Sequence, residues 1–162
     1  MRSGRVADDG GMVDLREARA TDVAALEDLA RRSYSLYAER MDRLPAPMTA
    51  DYSAAVRTHQ VWVAEDGDRI LGMLVLVPEG EVMLLENIAV HPDAQGRGLG
   101  RDLLALADRE AARQRMTEIR LYTNEMMTEN LSYYPRHGYA ETGRAEQDGY
   151  HRVFFRKPVA AP

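Results

Sequence analysis

Cysteine is absent from the 162-residue chain, which removes disulfides, thiolate metal sites and a cysteine nucleophile from consideration. Lysine is almost absent too: Lys157 is the only one, so arginine carries nearly all the positive charge, a bias given no functional weight. His59, His91, His137 and His151 are scattered rather than clustered, so no metal site is expected. No apolar run approaches the length of a membrane span. The N-terminal "MRSGRVADDGGM" has no apolar segment of the kind a signal peptide needs, so a cytoplasmic protein without a membrane partner is expected. A net charge of −5 argues against a nucleic-acid partner while allowing a local basic pocket for a phosphorylated ligand.

What is present is ordinary for a globular chain: 45% apolar and 29% charged residues. The length suits one domain with a substantial core. Residues 12–158 are assigned to that domain, with a flexible tail over 1–11 and a short one over 159–162.

From Val13 the chain alternates as a short strand, and Thr21 is placed to cap a helix with Val23, Leu26, Leu29 and Ala30 on one face. Pro45 and Pro47 break the chain before a short helix around Asp51 to Thr58. "VWVAE" and "RILGMLVLV" flank the turn Asp66-Gly67-Asp68 and read as a hairpin. "PEG" turns into a third strand, "EVMLLENIAV". Leucine and alanine then recur at helical spacing from Leu99 to about Met116, and "TEIRLYT" returns as a strand parallel to the one before it. A second helix in "NEMMTENLSYYPRHGY" is ended by Pro135 and Gly138, and strands near Tyr139–Arg144 and Tyr150–Lys157 close the domain.

Between the third strand and its helix lies "HPDAQGRGLGRD". Gly96, Gly98 and Gly100 strip the backbone of side chains where a helix begins, so bare N–H groups and the positive end of the helix dipole can face an anion such as phosphate. A tight strand-to-helix turn is the plain alternative. The NTPase phosphate loop fails, since Gly100 is followed by Arg101 and Asp102 rather than Lys and a hydroxyl residue. The dinucleotide fingerprint fails on spacing, G-x-G-x-G in place of G-x-G-x-x-G.

The run Gln95-Gly96-Arg97-Gly98-Leu99-Gly100 does fit Q-x-x-G-x-G. With "ENIAVHPDAQGRGLG" before it and "NLSYYPRHGYAETGR" after it, the chain resembles the GNAT superfamily of N-acetyltransferases from Val13 to Lys157. That resemblance implies an α/β (α+β) GNAT fold: a central mixed, mostly antiparallel sheet of six to seven strands, splayed in a V between the fourth and fifth, with about four helices. It implies acetyl-CoA as acyl donor. Gln95, Gly96, Arg97, Gly98, Leu99 and Gly100 would wrap its pyrophosphate, Arg101 could add charge, and the backbone of Ile88, Ala89 and Val90 would hold its pantetheine by edge-strand addition. Tyr134 takes the position of a tyrosine that protonates the departing thiolate. Asn130 fits a cofactor contact, whereas Asn124 at a strand end also suits a helix-start role.

Acetyl transfer requires the amine to lose a proton, since a Lys-type amine has a pKa of about 10.4. Glu86, charged in an otherwise apolar run, is the candidate base, with an outward-facing or ion-paired carboxylate as the alternative. A small-molecule or peptide amine is the expected acceptor. Its selection is assigned to the region from Ala30 to Gln60, where Tyr34, Tyr37, Glu39 and Tyr52 could line a pocket, and to the last hairpin around Gln147 to Arg152. A non-catalytic acyl-CoA-binding module of the same fold is the rival reading, and the C-terminal strands offer edges through which a homodimer can form.

Overall fold

The computed structural model describes residues 2–8 and 11–161. In chain order its elements are β1 (Ser3–Asp8), β2 (Gly11–Glu17), α1 (Val23–Ala38), α2 (Tyr52–Thr58), β3 (Gln60–Asp66), β4 (Arg69–Glu79) and β5 (Val82–Val90). α3 (Leu99–Arg113), β6 (Glu118–Asn124), α4 (Thr128–Arg136), β7 (Ala140–Gln147) and β8 (Tyr150–Pro158) follow. The strands form one mixed sheet in the order β1-β2-β3-β4-β5-β6-β8-β7. No helix among the described residues is long and apolar enough to cross a membrane.

Eight strands replace the six to seven expected, because residues 3–8, assigned to a tail, form β1. It runs antiparallel to β2 from Ser3↔Arg16 to Asp8↔Gly11. Its main chain supplies the ladder, and Arg5 reaches across to Asp14 at 2.8 Å, so a strand forms with almost no apolar patterning. The α1 cap also differs from expectation. Thr21 lies in a short 3-10 turn, Ala20–Asp22. Asp22 accepts from the Arg19 N–H at 2.7 Å and from Arg16 Nη1 at 2.8 Å. Asp22 stands at the N-cap of α1 without a side-chain bond to that helix; its carboxylate is turned to a buried guanidinium, which a hydroxyl could not neutralise. α3 stops at Arg113 rather than Met116, with Arg115 in the left-handed region at φ 59°. Pro135 lies inside α4, whose last residue is Arg136.

The chain divides into two units, each described by itself. One holds residues up to Leu76 together with Asn87–Leu103. Its core joins Leu26, Leu29 and Ala30 of α1 and Tyr52 of α2 to Val61, Val63, Met73, Val75 and Ala89 of the strands. The hairpin turn at Asp66–Arg69 is as expected, with Gly67 at φ 63°. Gly72 on β4 is held by space rather than by φ: a Cβ there would meet Leu103 Cδ1 at 3.1 Å and the Ala89 carbonyl at 3.4 Å.

The other unit holds Val77–Glu86 and Leu104–Pro162. β5 pairs in parallel with β6 over Val82–Leu84 and Glu118–Arg120, and β5 runs on past that ladder to Val90. β6 pairs antiparallel with β8 along its whole length, and β8 with β7. Asp148 and Gly149, at φ 54° and 82°, make the two-residue turn between Gln147 and Tyr150. Positive φ at both positions matches the right-handed twist of a hairpin, which is why Asp-Gly suits it. Tyr134 packs at 5.7 Å from the Phe155 ring and 5.8 Å from that of Tyr139.

Candidate active site

The glycine run opens α3 as the spacing predicts. After β5, His91 Nδ1 accepts from the Asp93 N–H at 3.0 Å and Ala94 is fully buried, so the chain enters the loop along a fixed path. Gly96 and Gly98 both take the left-handed region, at φ 79° and 84°, where a side chain would be strained. A Cβ on Gly96 would meet open space, while one on Gly98 would meet Arg101 Nη2 at 2.7 Å. The carbonyl of Gly98 accepts from the Asp102 N–H at 3.1 Å, closing the first helical turn. The N–H groups of Gly98, Leu99, Gly100 and Arg101 therefore start the helix without a main-chain acceptor among the described residues. Leu99 and Leu103, fully buried, anchor that turn.

The two loop arginines separate. Arg97 Nη2 lies 4.0 Å from Asp66 Oδ2 in the β3–β4 turn, with its side chain 23% exposed. Arg101 is the one beside Gly98, and it is largely exposed. Gln95 folds back onto β5, its Nε2 donating to the Val90 carbonyl at 3.3 Å.

β5 alternates as a two-faced strand: Met83, Leu85, Asn87 and Ala89 are buried, while Glu86 is exposed and Ile88 and Val90 are half-buried. Helix α1 reaches its end. Ser33 Oγ donates to the Val90 carbonyl at 3.1 Å, and the Tyr34 hydroxyl lies 3.1 Å from the Ile88 carbonyl. A carbonyl oxygen offers two lone pairs, so Val90, taking both Ser33 and Gln95, has both occupied. In the same unit Asn87 is 7% exposed. Its Oδ1 lies 2.7 Å from the Tyr34 hydroxyl, and its Nδ2 donates to the Tyr52 hydroxyl at 3.1 Å.

In the second unit Tyr134 is 6% exposed, and its carbonyl ends α4 by accepting from the His137 and Tyr139 N–H groups. Asn130 Nδ2 donates to Thr123 Oγ1 at 3.1 Å, tying α4 to the end of β6. Asn124 accepts from the Met126 N–H at 2.9 Å, a turn contact that starts the passage into α4.

A family model for the acetyltransferase (GNAT) domain matches residues 57–141, just over half of the chain. The chain belongs to the GNAT acetyltransferase family. Solved structures agree on the fold. The PaiA N-acetyltransferase from Thermoplasma acidophilum, in complex with coenzyme A, superposes at a TM-score of 0.76 with 16% identity, over 90% of this chain and 98% of that one. The ribosomal-protein-S18-alanine N-acetyltransferase of Escherichia coli gives 0.73 with 17% identity, over 91% and 94%. YncA from Salmonella typhimurium, with its cofactor acetyl-CoA, gives 0.70 with 21% identity, over 93% and 97%. A search of curated proteins finds no match.

Within this GNAT domain the first unit holds the glycine run, Gln95, Arg101 and the end of β5. Arg97, in the same unit, leans toward Asp66. Tyr134 and Asn130 share α4 in the second unit. The residue pattern gives no sign of Ser33 or Asn87, and it singles out Tyr34 only together with Tyr37, Glu39 and Tyr52. Ser33 and Tyr34 sit at adjacent positions of α1, and only the seating of that helix against β5 shows that both serve the same strand end. In the residue pattern Arg152 marks only the boundary of the last hairpin.

Proposed function

We propose that this GNAT protein moves the acetyl group of acetyl-CoA to an amine by direct attack in a ternary complex. The observation that carries the reading is the start of α3. Two left-handed glycines leave a cradle without side chains, and four successive N–H groups there have no main-chain acceptor among the described residues. An anion with several oxygens, such as a pyrophosphate, supplies what those donors lack. Solved relatives of the same fold with coenzyme A or acetyl-CoA support the same donor.

In this reading Gln95, Gly96, Gly98, Leu99 and Gly100 hold the pyrophosphate through main chain, and Arg101, beside Gly98, adds charge. Arg97 joins by releasing Asp66. Ile88 and Ala89, with the N–H of Val90, hold the pantetheine arm, and Asn130 keeps its expected cofactor contact. Acetyl-CoA supplies a thioester whose acyl carbon the amine attacks. As the N–C bond forms and the C–S bond breaks, the proton of the amine passes to Glu86, directly or through water, and the Tyr134 hydroxyl gives its proton to the departing sulfur. The products are an amide and free thiol.

Calorimetric titration with acetyl-CoA and CoA, on the native protein and on Gly98→Trp, tests the donor site. Binding to the native protein that is lost in the variant is the expected result. A folded native protein that binds neither would overturn the reading. Binding without release of thiol across a broad amine panel would favour the non-catalytic module.

A further inference from the structure

Arg152 takes no part in the acetyl-transfer step above and so far only bounds the hairpin assigned to acceptor selection, yet its setting is unusual. It stands on β8 opposite Asn124 of β6, and its side chain is 9% exposed. The guanidinium carbon lies 4.1 Å from the Tyr122 ring centroid and 5.5 Å from that of Tyr150, so aromatic surface covers it and hydrogen bonding is left to its plane. In that plane Nη1 donates to Gln147 Oε1 at 2.7 Å and lies 3.7 Å from Asp148 Oδ2. Gln147 is neutral, and Asp148 is 77% exposed and beyond hydrogen-bond distance. Among the described residues Nε and Nη2 have no acceptor. A guanidinium presents five donors and no acceptor. Nε and Nη2 are not among the buried atoms left without a partner, so both stay open to water or to a ligand, and a ligand oxygen can take the place of that water.

The same face of the sheet carries a carboxylate. The β5–β6 ladder pairs Val82 with Glu118 and Leu84 with Arg120, and directly opposed residues share a face. Two residues further along each strand stand Glu86 and Tyr122. β6 then pairs Tyr122 with Phe154 and Asn124 with Arg152, which carries that face onto β8. Burial raises the Tyr122 phenol's pKa, the Arg152 charge opposes this, and the charges of Glu86, Asp148 and Glu79 add to it. Glu86 and Arg152 thus act on the same ring from the two sides of β6. The hairpin turn at Asp148-Gly149, bonded through Gln147 to Nη1, holds the guanidinium in place.

We propose that this face binds the acceptor by both ends, with Arg152 donating from Nε and Nη2 to a carboxylate and Glu86 meeting the amine. Paired N–H donors at carboxylate spacing are what guanidinium geometry offers and an ammonium does not. The acceptor class is then an amino-acid-like molecule bearing a free amine and a carboxylate. This rests on the acetyl-transfer reading and adds no chemical step to it. A guanidinium that merely staples the hairpin would show no interest in a carboxylate on the acceptor.

The test uses acceptor pairs that differ only by the carboxylate: phenylalanine with 2-phenylethylamine, leucine with 3-methylbutylamine, and lysine with cadaverine. Thiol release from acetyl-CoA is followed for the native protein, Arg152→Met and Arg152→Lys; the lysine variant keeps the charge and stem and guards against loss of fold. The native protein is expected to favour the carboxylated member in kcat/KM by about 10- to 100-fold, the effect of a charged hydrogen-bond pair. In both variants that ratio collapses, through KM. Equal rates within each pair, or a ratio that survives in the variants, overturns the proposal. So does acetylation of neither member by a protein that binds acetyl-CoA, and the donor site then stands. Should acetyl-CoA itself fail to bind, the functional reading falls. Ligand-observed NMR of phenylalanine against 2-phenylethylamine then decides the part of Arg152, binding of phenylalanine alone and its loss in Arg152→Lys being the supporting result.

Discussion

The Tyr34 hydroxyl lies 2.7 Å from Asn87 Oδ1 and 3.1 Å from the Ile88 carbonyl, so two acceptors of β5 compete for the one proton of a phenol on α1, and the shorter contact is to Asn87. Asn87 is buried, and its Nδ2 is turned to the Tyr52 hydroxyl. Removing the Tyr34 oxygen strips the amide oxygen of that donor in a site with little water. Tyr34→Phe is expected to lower stability by about 1–3 kcal/mol, the cost of a buried polar atom left unpaired. Urea denaturation measures it, and an unchanged midpoint would show that the bond contributes nothing net.

Tyr139 poses the opposite case. It is 3% exposed, its hydroxyl has no partner among the described residues, and burial pushes its phenol far above the ordinary range. Tyr139→Phe keeps the ring against Tyr134 and deletes an unsatisfied oxygen. We expect it to be neutral or to stabilise by up to about 1–3 kcal/mol. A clear drop in Tm would mean that the hydroxyl has a use in the folded protein.

Arg16 links two carboxylates, donating to Asp22 at 2.8 and 3.0 Å and to Glu65 at 2.8 Å. Both Arg16 and Asp22 are buried. Hydrogen bonding to Arg16 lowers the Asp22 carboxyl below its ordinary value, against the opposing effect of burial. A depressed folded pKa means stability that is present above the unfolded value of about 3.9 and is lost as pH falls through the folded one. Melting curves from pH 7 to pH 2 should show this loss, and Asp22→Asn should flatten that part of the profile. Arg16→Met leaves two carboxylates facing each other and should cost about 3–5 kcal/mol at neutral pH.

Tyr134 and Glu86 can be told apart kinetically. Tyr134→Phe preserves the ring contacts with Tyr139 and Phe155, so acetyl-CoA should still bind while kcat falls about 100-fold or more, the contribution of a general acid. Glu86→Gln should lower kcat most at low pH, where the acceptor amine is most fully protonated, and recover partly as pH rises toward the amine pKa. A Tyr134→Phe enzyme of native kcat would remove the tyrosine from the chemistry.

Local order was legible in the residues alone. The two-residue alternation of "EVMLLENIAV", the Asp66-Gly67-Asp68 turn, the 3.6-residue recurrence after Leu99 and the glycines before it each act within a few positions, so the elements and the bare glycine turn before α3 follow from neighbours in sequence. Tertiary structure decided everything that needed register between distant segments. β1 exists because its main chain pairs with β2, which side-chain pattern does not announce. Arg97 and Arg101, four residues apart, part company because the β3–β4 turn brings Asp66 to one of them. Asn87 meets Tyr34 across 53 positions. The β6–β8 ladder lays Arg152 over Tyr122, a pairing set by strand register and invisible to any local spacing.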